Sequence, residues 1–200
     1  MREGAVSFGL ALFQLGVREI DSRPASKPGD LVTALAWLAG RIAQRSAMRD
    51  EPDRFIVDQS SNGTLFLRND KVTRKLGRVE PGSLASALVE AALMAGSKRF
   101  PDFQTVRHDA IEAIQRRGEG DYRGISLSAE PCVLAALLQD DVHTLLFERD
   151  DSVLLLDAAI AACGHAVGFN RNHLDPAIAA ELSLSVAFHA GWADQRKTKR

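Results

Sequence analysis

Two hundred residues, 46% apolar and 26% charged, make a chain long enough to bury a core without disulfide or metal staples. Twenty-five basic against 26 acidic residues leave a net charge of −1, so no global field draws the chain to nucleic acid or an anionic membrane, and neither is expected as a partner. Cys132 and Cys163 are the only cysteines; their spacing is neither a disulfide framework nor a zinc ribbon and fits a reducing, cytoplasmic setting.

The first element is the apolar segment Gly4–Ile20, readable as a buried helix or a strand. As a helix its uncharged run, Gly4 to Val17, rises about 21 Å, short of the roughly 30 Å hydrocarbon core of a bilayer. Glu3 beside Arg2 and the lack of a small-x-small site before "REIDSRP" argue against a secretory signal. Nineteen arginines against six lysines, with abundant alanine, read as bacterial GC-rich coding. "SRPASKPGD" is a loop, with Asp30 as N-cap of the helix "LVTALAWLAGRIAQR". Leu31, Leu35, Leu38 and Ile42 form its stripe, widened by Ala34, Trp37 and Ala39.

"DQSSNGTLF", Asp58 to Phe66, reads as the tip of a β-hairpin. A three-residue loop Ser61-Asn62-Gly63 sets Val57 opposite Leu67 and Gln59 opposite Leu65. Phe55, Val57, Leu65 and Leu67 then share one face, and Gly63 takes the left-handed position of a type I turn plus bulge. The Ser-x-Asn-Gly-Thr here is similar to a motif of forkhead-associated domains, which read phosphothreonine. That likeness spans about nine residues. The Gly-Arg and Ser-Arg-x-x-His that the family places in preceding strands are missing, so the hairpin reading is kept.

"KVTRKLGRV" continues the meander as a third strand. Ser83 caps "LASALVEAALMAG", whose one charge, Glu90, predicts burial nearly all round. Asp102 caps "FQTVRHDAIEAIQRR", with the stripe Phe103, Val106, Ala110 and Ile114. Residues 118–123 are a joint between two possible lobes, 1–117 and 124–193, of one domain spanning 1–193. Beyond it "YRGISLSAE" reads as a strand, "PCVLAALLQ" as a short helix, and "DVHTLLFERDDSVLLL" as a second hairpin, preferred narrowly over one strand followed by a helix. Ala158–Val167 is a helix, and Asp175-Pro176 starts the last one. Residues 194–200 are a basic, flexible tail. The fold class expected is α+β: antiparallel hairpins or meanders packed against several Ala/Leu-rich helices. "LVEAALMA" (Leu88–Ala95) and "LLDAAIAA" (Leu155–Ala162) also hint at a duplicated strand–helix unit.

Two clusters bear chemistry. Cys163, His165, His173 and Asp175 bring thiol, imidazole and carboxylate within thirteen positions, donors suited to zinc or to an activated Cys–His couple. Against that, cysteine in an Ala-rich helix usually packs as a small hydrophobe, and Asp175 is already a cap. Asp140, Asp141 and His143, followed by Glu148, Asp150 and Asp151, are an acidic patch that would suit Mg²⁺ or proton exchange, or simply acidic turns. The sequence has no phosphate-binding glycine loop, dinucleotide fingerprint, nucleophile elbow or zinc-protease motif. The expectation is therefore a non-enzymatic binding or regulatory protein with no cofactor, pairing with itself as a homodimer or with another protein. The rivals are an enzyme or metal protein built on Cys163, His165 and His173, and a small-molecule sensor.

Overall fold

Apolar spacing and end signals turn most of the described chain into helix. The computed structural model describes residues 3–117, 120–138 and 152–193. In order these form α1 (Glu3–Gly16, continuing into a π-helical turn at Val17–Asp21), α2 (Pro28–Asp50), β1 (Ile56–Gln59), β2 (Leu65–Arg68) and α3 (Asp70–Gly77). Then follow α4 (Leu84–Met94), α5 (Phe103–Arg117), α6 (Pro131–Ala136), α7 (Ser152–Phe169) and α8 (Pro176–Trp192). The two strands make one antiparallel sheet. The fold is α+β in the coarse sense and mostly helical, and among the described residues the expected meanders reduce to one hairpin. No helix of the described residues is long and apolar enough to cross a membrane.

Side-chain caps set several helix starts. Asn69 accepts from the Lys71 and Val72 amides, Ser83 from Ser86, and Asp175 from Ala177 and Ile178; Asp102 accepts from Thr105. Asp30 departs from its expected role. The helix begins earlier, with Lys27 as N-cap and Pro28 in the first turn. Asp30 is fully buried inside that turn, accepting from the Lys27 amide at 2.9 Å and from the Ser128 amide at 2.9 Å. It thereby ties residues 126–128 to the start of α2, helped by Lys27 Nζ, which donates to the Leu127 carbonyl at 3.0 Å. Those bonds explain why "YRGISLSAE" is a pinned loop rather than the expected strand: the polar groups of residues 126–128 go to the start of α2, not to a sheet.

α8 is the axis of the core. It packs against α2, α3, α4, α5 and α7, and all but a few of its side chains are buried. Gly40 of α2 permits the closest approach: a Cβ there would lie 2.2 Å from the Ala187 carbonyl oxygen. Glu181, mid-helix and 4% exposed, does not contradict this burial, because Arg99 grips its carboxylate through two nitrogens at 2.7 and 3.3 Å and the Asp102 amide donates at 3.0 Å. α7 packs in turn on α1, α2 and α4.

The hairpin takes the expected register, Val57 opposite Leu67 and Gln59 opposite Leu65, with Gly63 at φ +84°. Its tip has a mechanical task. The Ser61 amide donates to the Gln115 carbonyl at 2.9 Å and its hydroxyl to the Arg116 carbonyl, satisfying acceptors that the end of α5 leaves open. The expected division of faces holds only in part: Val57 is exposed, while Phe66, on the opposite face, is buried and stacks on Trp192 with centroids 6.3 Å apart.

Three more expectations change. "KVTRKLGRV" is α3 and not a strand, because the Asn69 cap starts a turn that buries Val72 and Leu76 four residues apart. The first copy of the proposed strand–helix repeat therefore has no strand. Ser152–Leu156 is the first part of α7 rather than the return strand of a second hairpin; the rest of that hairpin lies outside the described residues. α4 is buried on one side only, through Leu84, Ala85, Leu88 and Ala92, and leaves Leu93 and Met94 exposed.

Candidate functional site

Small residues bring α1 and α4 close to α7 from two sides. A Cβ on Gly9 of α1 would lie 2.6 Å from the Ala161 Cβ and 2.8 Å from the Ala158 carbonyl oxygen. A Cβ on Gly164 of α7 would stand 3.6 Å from the Ala91 Cβ of α4. Above these contacts the surface dips into a groove of about 430 Å³, floored by Ala91, Ala161, Gly164 and Gly168 and flanked by Val6 and Met94. Met94 is 87% exposed and Val6 44%, so apolar side chains stand beside an apolar hollow. Its rim is polar: Glu90, His165 and Arg171. Among the described residues neither Glu90 nor Arg171 has an ion-pair partner. The His165 ring packs on Phe13 at 5.7 Å, and Phe13 meets Phe169 edge-on at 5.5 Å.

The sequence-expected cluster is spread over different surroundings. Cys163 is fully buried, and burial pushes its thiol up to about 12, so it stays neutral at physiological pH. His165, two positions on, points out to the groove rim, as the 200° between i and i+2 on a helix requires. His173 is exposed beyond the short turn Asn170–Asn172, and a carboxylate oxygen of Asp175 is engaged by two amides of α8. Among the described residues no group of three His, Cys, Asp or Glu side chains is placed to hold a metal ion. The acidic patch Asp140, Asp141, His143, Asp150 and Asp151 lies outside the described residues. His189 meets Trp37 edge-on at 5.3 Å, both residues half-buried at the edge of the core.

Sequence reasoning missed a second concavity, of about 490 Å³, between the hairpin, α3 and α5, which is lined by five arginines. Its signal was partly available: Lys71, Arg74, Lys75 and Arg78 recur at helical spacing away from Val72 and Leu76, and Arg74 and Arg78 of that set line the concavity. Read as a strand, the same segment scatters those charges over both faces. The chain matches no protein-family model, no curated protein and no solved structure.

Proposed function

We propose that this is a non-enzymatic binding protein that pairs with a second copy of itself through the groove between α1, α4 and α7. The observation that supports the reading is the coexistence of knob and hole on one surface, Met94 and Val6 beside the small-residue floor around Gly164 and Gly168. A two-fold interface needs a patch complementary to itself, and this one offers both halves. Its rim adds Glu90 and Arg171, opposite charges without a partner in the described chain. A net charge of −1 imposes little repulsion between copies. The alternative, catalysis or metal binding through Cys163, His165 and His173, draws no support from a neutral buried thiol and two exposed rings.

Sedimentation velocity on the wild type and four variants tests the reading. Met94→Asp places a charge on the knob and is expected to shift the population to monomer. Glu90→Arg and Arg171→Glu, each alone, set like charges across the rim and weaken pairing; combined, they restore it. Unchanged sedimentation of Met94→Asp at every concentration would overturn the groove as the interface.

A further inference from the structure

The arginine-lined cleft carries a separate inference. Arg54, Arg68, Arg74, Arg78 and Arg107 face it, against two carboxylates, Glu51 and Asp70. Five cations less two anions leave a local excess of +3 in a chain whose net charge is −1. The internal pairing is loose: Arg54 stands 3.9 Å from Glu51 and Arg68 stands 3.7 Å from Asp58, both beyond hydrogen-bond distance. Among the described residues Arg74, Arg78 and Arg107 have no carboxylate within 4.0 Å. Three guanidinium groups without a carboxylate partner among the described residues thus line one hollow, Arg74 from α3, Arg78 from just past its end and Arg107 from α5.

We propose that this cleft binds a small ligand carrying two or more phosphoryl groups. Guanidinium presents a planar fork of donors that matches phosphate oxygens two at a time, and a ligand bridging α3 and α5 needs more than one such group. The volume lies within the roughly 300–1,000 Å³ typical of small-molecule sites. The exposed Ile56 on the wall offers an apolar surface to whatever carries the phosphates. A concave site of this size favours a compact anion over a nucleic-acid duplex, which requires an extended basic stripe. The cleft lies on elements other than those of the groove, so the two readings stand or fall apart.

Titration calorimetry with inorganic tripolyphosphate tests the proposal, at about 150 mM salt, where the screening length is about 8 Å. Saturable one-to-one binding is expected, with inorganic phosphate about tenfold weaker or more. Arg74→Ala combined with Arg78→Ala weakens tripolyphosphate by about tenfold or more, and Arg107→Ala does so from the other wall. Arg23→Ala, on an exposed loop away from the cleft, leaves binding unchanged. Absence of saturable binding, or an equal loss in Arg23→Ala, overturns the site. A DNA duplex that binds more tightly than tripolyphosphate and displaces it overturns the small-ligand assignment in favour of nucleic acid.

Discussion

α4 and α8 share much of their material, alanine, leucine and serine with one carboxylate each, Glu90 and Glu181, to which α8 adds Phe188, His189 and Trp192. Their fates are opposite. α8 is surrounded by five helices, and its carboxylate is held by Arg99 and a backbone amide at 4% exposure. α4 buries one side and leaves Met94, Leu93 and Glu90 open. Small side chains allow close packing in both helices; only the neighbours decide whether it is satisfied within the chain. The unpaired acid marks the open case, and the bound acid the closed one.

Glycines give the sharpest way to break that comparison. Gly40→Ala drives a methyl into the Ala187 carbonyl, 2.2 Å away, and is expected to cost about 3 kcal/mol or more in denaturant unfolding. Gly168→Ala meets nothing within 4 Å and is expected to stabilise the monomer by up to about 1 kcal/mol through helix propensity. Because it fills the groove floor, it also weakens self-association. Loss of monomer stability in Gly168→Ala would show that this surface is already packed.

The two carboxylates come next. Glu181→Ala leaves Arg99 and the Asp102 amide without their acceptor and is expected to cost about 2 kcal/mol, moderated because the Arg99 side chain is 46% exposed. Glu90→Ala is expected to stay within about 0.5 kcal/mol in the monomer. Equal effects would erase the distinction drawn between the helices.

Cys163 gives the smallest effect at neutral pH, where its thiol is protonated in the folded and unfolded chain alike. At pH 8 iodoacetamide is expected to label the exposed Cys132 and to reach Cys163 only after unfolding, as read by peptide mass spectrometry. The thiol's ordinary value is 9.0 and burial raises it to about 12. Between those values the unfolded chain loses this proton while the folded chain keeps it, so this contribution to stability falls as pH rises. Cys163→Ala removes that component, and its stability should decline less steeply than the wild type above pH 9.

Local chemistry was legible in the sequence where one signal dominated. Gly63 and the Val57–Leu67 alternation gave the hairpin register, and Ser83, Asp102 and Asp175 gave helix starts. α3 was missed because Val72 and Thr73 favour strands and a helix of eight residues is too short for its period to compete. The Asn69 cap was the overlooked clue. Asp30 was assigned the wrong turn because Pro28 already opens α2, and its partner Ser128 is 98 positions away. The groove belongs to the same class of long-range fact: that α4 would be covered on one side only depends on where α1 and α7 arrive.

The most direct measurement is native mass spectrometry of the wild-type protein at micromolar concentration. The account predicts a dimer at twice 21.7 kDa that Met94→Asp reduces to monomer. A wild-type protein that remains a 21.7 kDa monomer throughout would contradict it.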